Sequence, residues 1–135
     1  MKKVFVDTNI FLRYLTADDT VKYEKCKELF RLAVDQKISL LTSETVIAEL
    51  IWTLRSFYRV QKDEVIAKIS IIVNTPNLTI PNSSIIAEAL VIYGRRNIDY
   101  IDAYNAVFMK HHNTSEVYSY DSDFDMITGL KRIEP

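Results

Sequence analysis

The 135-residue chain has little cysteine, glycine or proline: one, two and three residues respectively. The lone Cys26 has no second cysteine with which to form a disulfide, so the sequence does not require an oxidising compartment. So few glycines and prolines disfavour an all-β fold, whose many turns use these residues. No apolar run approaches the roughly 18 residues that span a bilayer, and the first apolar run is too short for a secretion signal. We therefore expect a cytoplasmic protein without a membrane segment.

The chain also lacks an excess of charge of either sign. It has 17 lysines and arginines against 18 acidic residues, a net charge of -1, and a pI of about 6.1. A dedicated nucleic-acid binder usually carries a general basic surface. A nucleic-acid partner would therefore require a local cationic patch or a bridging metal ion. Because 48% of the residues are hydrophobic, we expect one globular domain over residues 1–135.

Short apolar runs alternate with longer amphipathic segments along the sequence. Strands are predicted at residues 3–6, 38–41, 78–80 and 117–120, and near 132–133. Helices are predicted at residues 9–15, 20–35, 44–58, 64–73, 84–94 and 100–110, the last one capped by Asp99. This alternation favours an α/β fold in which helices cover both faces of a central, mainly parallel sheet.

Acidic side chains occur where such a sheet would bind a ligand. Asp7 and Asp121 each follow a predicted strand, and ligands of open α/β sheets lie at the carboxyl ends of the strands. Glu49 lies mid-helix without a lysine or arginine three or four residues away, and the nearest charge to Asp102 on its helix is another acid, Asp99. Two like charges about 4 Å apart repel by about 4 kcal/mol at an effective dielectric constant near 20. A cluster of these acids would therefore need bound protons or a cation, and oxygen ligands suit Mg²⁺ or Mn²⁺ better than zinc.

Each acid also has a purely structural interpretation. Asp7 is a candidate N-cap of the helix that follows it. Asp99 and Asp102 have the spacing of an N-cap and the third residue of its helix. Glu49 could be an ordinary surface residue, and Asp121 with Asp123 could form a solvated turn.

Four ordered segments resemble the PIN-domain nucleases, especially the stand-alone VapC-type toxins of prokaryotic toxin–antitoxin systems. They are VFVDTNIFLRYL, LTSETVIAEL, DYIDAYNAV and VYSYDSDFDMI, and together they cover nearly the whole chain. The resemblance implies a three-layer α/β/α sandwich and metal-dependent cleavage of RNA. Carried over position by position, it makes Asp7, Glu49, Asp102 and Asp121 the catalytic, metal-binding acids. The same resemblance gives supporting roles to Thr8, Asn9, Asp99, Ser119 and Asp123.

The resemblance also implies an RNA substrate, a cognate antitoxin and a homodimer. Candidate substrate-binding cations are Arg13, Arg95 and Arg96, although for each one taken singly a solvated surface residue is the favoured interpretation. Exposed aromatic residues could form an interface, but the core is the favoured place for them. The candidates are Tyr14, Phe57, Tyr58 and Tyr93.

Other functions fit the sequence less well. A catalytically silent PIN module that binds RNA or protein is the main alternative, and the nearly complete set of acids argues against it. A HAD-like phosphatase would need Asp-x-Asp after the first strand, where this chain has Asp7-Thr8-Asn9. A response receiver would need an acidic pair near the first strand and a late lysine. His111 or His112 could serve as a general acid, although both lie at a helix C-terminus, where a positive charge is favourable in any case.

Overall fold

The computed structural model describes residues 2–135, which form six α-helices, one 3₁₀-helix and five short strands within that range. The strands are β1 (Lys3–Phe5), β2 (Ser39–Leu41), β3 (Leu78–Thr79), β4 (Glu116–Tyr118) and β5 (Lys131–Ile133). The α-helices are α1 (Thr8–Thr16), α2 (Thr20–Val34), α3 (Glu44–Ser56), α4 (Lys62–Val73), α5 (Ser83–Arg95) and α6 (Tyr100–His111). A 3₁₀-helix at Ser122–Met126 lies between β4 and β5.

The chain divides into two compact units, the first ending at Asn82 and the second running from Ser83 to Pro135. The first unit contains a parallel sheet in the order β1-β2-β3, in which Val4 pairs with Leu40 and Leu40 with Leu78. Helix α1 packs on α2 and α3, and α3 packs on α4. These contacts bury an apolar core around the sheet. Its fully buried side chains include Phe11, Leu40, Ile47, Leu50, Leu54 and Ile69.

The second unit is built from the α5–α6 helix pair and the parallel strands β4 and β5. The register pairs Glu116 with Lys131 and Tyr118 with Ile133. The 3₁₀-helix contacts both β5 and α6, and its Phe124 is buried. The chain that leaves β4 is therefore held beside the first turn of α6, which matters for the acidic residues described below.

The predicted α/β class with parallel strands is confirmed, since every strand pair in residues 2–135 is parallel. Most element boundaries agree with the sequence to within two residues. The assignment of residues 1–135 to one domain stays a prediction. None of the described helices is long and apolar enough to cross a membrane.

The scarcity of glycine shows in the backbone. Six residues other than glycine adopt positive φ angles, and these are Ala17, Gln36, Arg59, Asn77, Asn82 and Asn113. Gly129 does so as well, with φ +89°. The helix predicted at residues 84–94 ends at Gly94, whereas α5 continues through Gly94 to Arg95, because its helical hydrogen bonding persists for one more residue.

The four aromatic candidates for an interface differ in their exposure to solvent. Tyr93 is buried, as expected for a core residue, while Tyr14 and Tyr58 are half-buried. Phe57 is 75% exposed, contrary to the preference for the core. The reason is that α3 ends at Ser56, one residue earlier than its apolar stripe suggests. Cys26 is buried in α2 as apolar filling, which fits a structural role.

Candidate metal centre

Asp121 is the N-cap of the 3₁₀-helix that follows β4. One oxygen of its carboxylate accepts a hydrogen bond from the Asp123 backbone N–H at 2.9 Å. The Asp121 N–H donates to the Ser119 hydroxyl oxygen, also at 2.9 Å. The first bond fixes one carboxylate oxygen of Asp121, and the second fixes its backbone at the end of β4.

Asp102 lies in the first turn of α6, between residues that pack into the second unit. Ala103 and Ala106 are buried, and the Asp102 side chain itself is half-buried. Carboxylate oxygens of Asp102, Asp121 and Asp123 all lie within 4.8 Å of one another. The structure therefore brings together two of the four predicted catalytic acids and one predicted supporting acid.

The electrostatics of this acidic cluster, defined as Asp102, Asp121 and Asp123, are unfavourable without added positive charge. Burial raises the pKa of Asp102, and a hydrogen bond with Asp121 raises it further. The negative charges of Asp121, Asp99 and Asp123 add to the effect, so that the pKa of Asp102 reaches about 6. A proton or a cation placed among these oxygens would relieve the repulsion.

No lysine or arginine within residues 2–135 forms an ion pair with any member of the cluster. The donor set consists of carboxylate oxygens only, which suits Mg²⁺ or Mn²⁺ and does not suit zinc. Three oxygens at this spacing, one of them with a raised pKa, therefore fit a small divalent cation.

Asp99 occupies the N-cap position of α6, as predicted, with extended backbone angles. Its side chain makes no capping hydrogen bond, so the reading of Asp99 and Asp102 as a reciprocal capping pair fails. Instead, the charge of Asp99 contributes to the raised pKa of Asp102. This is consistent with its predicted supporting role.

Asp7 does cap a helix, as its structural interpretation predicted. Its carboxylate accepts a hydrogen bond from the Thr8 N–H at 2.8 Å, at the start of α1. The Asp7 side chain is exposed, and its second oxygen is not used by this bond. Thr8 is buried, and its hydroxyl oxygen has no hydrogen-bond partner in the described chain, while Asn9 is exposed.

Glu49 lies on the exposed side of α3, where its carboxylate forms no ion pair with another described residue. Asp7 and Glu49 belong to the first unit, and the three clustered acids belong to the second. The assignment of Asp7 and Glu49 as metal ligands stays a prediction.

The predicted substrate-binding arginines differ in their surroundings. Arg13 donates two hydrogen bonds to the Asp18 carboxylate, at 2.9 and 3.0 Å, and Tyr58 donates a third to the same group. Its charge is therefore largely compensated. Arg95 and Arg96 are exposed at the end of α5. A role in substrate binding stays a prediction for all three.

The two histidines do not belong to the acidic cluster. His111 lies nine residues after Asp102 on α6, about 13 Å along the helix axis. Its Nε2 is 3.1 Å from a Glu88 carboxylate oxygen, and the His112 ring stacks on Phe108. Neither histidine can reach a substrate atom at Asp102, so the option of a histidine general acid at this site is not supported.

Two features of the second unit were missed from the sequence. Arg132 donates to both oxygens of Asp125 at 3.1 Å and to Glu134 at 2.8 Å. A cavity of about 500 Å³ lies between α5, α6 and residues 113–115 and 127–130. The position of Arg132 close in sequence to Asp125 and Glu134 was a signal for these ion pairs. No sequence pattern marks the cavity.

Comparisons with known proteins bear on the whole chain. A family model described as PIN domain matches residues 4–130. Among curated proteins, the chain is 25% identical over 130 residues to a VapC ribonuclease of Aquifex aeolicus (strain VF5), with 96% of this chain and 95% of the relative covered.

Two solved structures are also similar to the chain. One is VapC20 (Rv2549c) of Mycobacterium tuberculosis, described as a Sarcin-Ricin loop cleaving toxin, at 21% identity and a TM-score of 0.41, covering 98% of this chain and 99% of that one. The other is VapBC2 from Rickettsia felis bound to a DNA fragment from their promoter, at 16% identity and a TM-score of 0.40, covering 98% of both chains.

Proposed function

Because the chain belongs to the PIN domain family, we propose that it is a metal-dependent endoribonuclease and the toxin of a toxin–antitoxin pair. The observation that carries the proposal is the acidic cluster, whose three carboxylates converge without a cation from the described chain. The similarity to a VapC ribonuclease supports RNA as the substrate class.

Asp102 and Asp121 are the proposed metal ligands of the second unit, with Asp123 beside them. Mg²⁺ or Mn²⁺, when bound, would supply a water activated for attack and would offset the charge of the phosphodiester. The Asp123 N–H holds one oxygen of the Asp121 carboxylate, and the Ser119 hydroxyl, which accepts from the Asp121 N–H, is proposed to position the Asp121 backbone. Asp102, whose pKa is about 6, is mainly ionised at neutral pH and offers its oxygens to a cation.

Asp7 and Glu49 are the proposed catalytic acids of the first unit. Each has an exposed carboxylate, and Asp7 has one oxygen that its bond to Thr8 leaves unused. Thr8 and Asn9 are proposed to support Asp7. The buried Thr8 hydroxyl without a partner supports this role, since such groups are uncommon unless something binds them.

The remaining parts of the proposal follow from the toxin role. The partners are an RNA substrate, a cognate antitoxin and a second copy of the chain, with residues 1–135 acting as one domain in the cytoplasm. The proposed RNA-contacting cations are Arg95 and Arg96, which are exposed at the end of α5, and Arg13, whose charge is paired with Asp18.

The direct test is cleavage of a mixed pool of structured RNAs by the pure protein in Mg²⁺, in Mn²⁺ and in EDTA. We expect cuts in either metal and none in EDTA. The variants Asp7→Asn, Glu49→Gln and Asp102→Asn should each lose the cuts, and Asp125→Asn, whose acid is paired with Arg132, should keep them. Metal-independent cuts, or equal cutting by wild type and Asp102→Asn, would reject the assignment, and RNA binding without cleavage would favour the silent module.

The toxin role has a separate test. Induced expression of the wild-type protein in a bacterial host should slow growth, and expression of Asp7→Asn should not. Equal growth of the two cultures would remove the toxin role and leave the nuclease activity to be judged by the cleavage assay.

A further inference from the structure

We propose that exposed aromatic and basic side chains at the C-terminal end of α3 bind single-stranded RNA. We call this the aromatic-basic surface and define it as Trp52, Arg55, Phe57 and Arg59. The inference rests on the proposed function, because it assigns the surface that holds the RNA substrate.

The aromatic residues of this surface are unusually exposed. Trp52 is 68% exposed and Phe57 is 75% exposed. The opposite side of α3 is fully buried at Leu50 and Leu54, so the helix already has its core-facing stripe. The Phe57 ring has an edge-on contact with Tyr58 at 5.0 Å between centroids, but most of both large rings remains exposed. Exposed rings of this size commonly mark an interaction site.

The segment after α3 is folded tightly against the end of the helix. The Val60 N–H donates to the Leu54 carbonyl oxygen at 2.9 Å, and the Arg55 guanidinium donates to the Val60 carbonyl oxygen at 3.0 Å. Arg59 lies between them with φ +55°, a conformation that favours glycine. These bonds fix the point at which the Arg59 side chain leaves the backbone, beside Arg55.

The charge of this segment is complementary to RNA. Residues 50–62 contain three basic residues, Arg55, Arg59 and Lys62, and no acid, although acids border the segment at positions 49, 63 and 64 and the whole chain carries a net charge of -1. No carboxylate of another described residue forms an ion pair with Arg55 or Arg59. The chain therefore provides the local cationic patch that a nearly neutral RNA-binding protein needs.

The surface lies next to a proposed catalytic acid. Trp52 follows Glu49 by three residues, so the two side chains share one face of α3 about 4.5 Å apart along its axis. A base stacked on the indole would bring the adjoining phosphate toward the Glu49 carboxylate. The surface would therefore set the position of the RNA strand relative to Glu49.

The chemistry favours single strands over duplexes. Aromatic side chains bind unpaired bases by stacking, whereas the bases of an RNA duplex are stacked on one another and are not accessible. Arginines beside the rings would contact the phosphates of the same strand. A second copy of this chain or another protein could also cover exposed rings, and the experiments below separate these occupants.

The first experiment uses Trp52 as its own reporter, because it is the only tryptophan in the chain. A single-stranded RNA of about 12 nucleotides, labelled for anisotropy, is titrated into the wild-type protein in EDTA, which prevents metal-dependent cleavage. We expect saturable quenching of the tryptophan emission over the range in which anisotropy reports binding, and much weaker binding of the same RNA annealed to its complement. Binding without a change in emission, or no binding of the single strand, would overturn the inference.

The second experiment compares two replacements of the tryptophan. Trp52→Ala should weaken binding of the single strand about tenfold, as expected for the loss of one stacked base. Trp52→Phe should restore most of the affinity, since it keeps an aromatic ring. Ile71→Ala is the matched control, because Ile71 is a 56% exposed apolar residue of α4 in the same unit. An equal loss in Trp52→Ala and Ile71→Ala would overturn the assignment.

The third experiment tests the arginines through salt dependence. Arg55→Gln and Arg59→Gly should each reduce the slope of log affinity against log salt by about 0.7, the value for one phosphate contact on a single strand. Glycine suits the backbone of position 59, so this variant removes the charge without adding strain. Lys25→Gln, at an exposed position of α2, should leave the slope unchanged. Unchanged slopes in both arginine variants would overturn the role of these cations.

Two readouts separate this inference from the proposed function. If Trp52→Ala binds RNA like the wild type while the wild type still cuts RNA in Mg²⁺, the inference fails and the nuclease proposal stands. If the wild type shows quenching by RNA but never cuts it, the nuclease proposal fails and the binding surface stands. Sedimentation of wild type and Trp52→Ala completes the test, because a change of oligomeric state in the variant would assign the surface to a second copy and overturn the inference.

Discussion

The acids around the 3₁₀-helix differ in their electrostatic partners. Asp125 accepts hydrogen bonds from the Nε and Nη2 of Arg132, and these bonds lower the pKa of Asp125. The third guanidinium nitrogen, Nη1, donates to Glu134. Asp121 and Asp123, only a few residues earlier, instead approach the half-buried Asp102 and raise its pKa. Asp125 is thus neutralised by an arginine of the described chain, whereas the acidic cluster forms no such ion pair, which is why we propose that it binds a cation.

The largest expected effect is a difference in RNA cleavage rate between variants of the acidic cluster and a variant of the paired acid Asp125. Asp102→Asn or Asp121→Asn should reduce RNA cleavage about 100-fold or more, because each removes a ligand of a cation that supplies several kcal/mol of charge stabilisation. Asp125→Asn should cleave nearly as fast as the wild type. The initial rates of cutting of one identified RNA would measure this, and a similar loss in all three variants would erase the distinction between cluster and pair.

Replacement of Arg132, the cation that pairs with Asp125, should affect the stability of the fold. The Arg132 side chain is 19% exposed and donates to Asp125, Glu134 and the Ser119 carbonyl oxygen. Arg132→Gln should therefore lower the urea midpoint of unfolding, because it leaves two carboxylates without their partner. Arg31→Gln is the control, since Arg31 pairs with Glu28 and Asp35 on an open helix surface, where such pairs contribute little. An equal or larger shift for Arg31→Gln would contradict the expectation.

The pH dependence of stability should expose the cluster in the metal-free protein. The pKa of Asp102 is about 6 in the folded state against an ordinary value of 3.8, so the folded state holds this proton more tightly than the unfolded state. The resulting contribution to stability is complete below about pH 4 and is lost as the pH rises through about 6. Asp102→Asn cannot lose it, so in EDTA the melting temperature of this variant should rise relative to the wild type between these pH values. If the melting temperatures of the two proteins changed in parallel with pH, the expected raised pKa of Asp102 would be contradicted.

The smallest effect is expected at a residue that only positions the cluster. Ser119→Ala removes the hydroxyl that accepts the Asp121 N–H, while the bond from the Asp123 N–H to the Asp121 carboxylate remains. Cleavage should fall less than in Asp121→Asn, and Ser119→Thr, which keeps a hydroxyl, should restore it. A variant Ser119→Ala with full activity would show that the Asp123 N–H alone orients the carboxylate.

Much of the fold follows from periodicity and capping. Ser43 caps α3 through the Val46 N–H at 3.1 Å, as its position before an apolar helical stripe indicates. The end of that helix was harder to locate, because its apolar spacing continues to Phe57 while the backbone turns away after Ser56. The backbone conformation just after this helix was equally hard to predict, because no sequence pattern indicates that Arg59 has a positive φ. Helix ends are decided by a few local hydrogen bonds, and hydrophobic spacing does not report them.

The candidate site was predictable to a similar degree. The rule that ligands lie at the carboxyl ends of parallel strands marked Asp121 as a candidate, whereas its pairing with Asp102 in one site was implied by the resemblance. The different treatment of Asp125 does not follow, because its partner Arg132 lies seven residues away on a different element and only the fold brings them together. The assignments of Asp7 and Glu49 rest on the resemblance to PIN-domain nucleases and remain proposals.

The central claim is that the acidic cluster binds a divalent cation, and a titration of Mn²⁺ into the metal-free protein tests it most directly. Electron paramagnetic resonance would count free Mn²⁺ in the presence of wild type, Asp102→Asn and Asp125→Asn, without RNA. The account predicts saturable binding by wild type and Asp125→Asn, and binding at least about tenfold weaker in Asp102→Asn, a loss of about 1.4 kcal/mol. Equal binding by all three proteins, or no binding by the wild type, would contradict it.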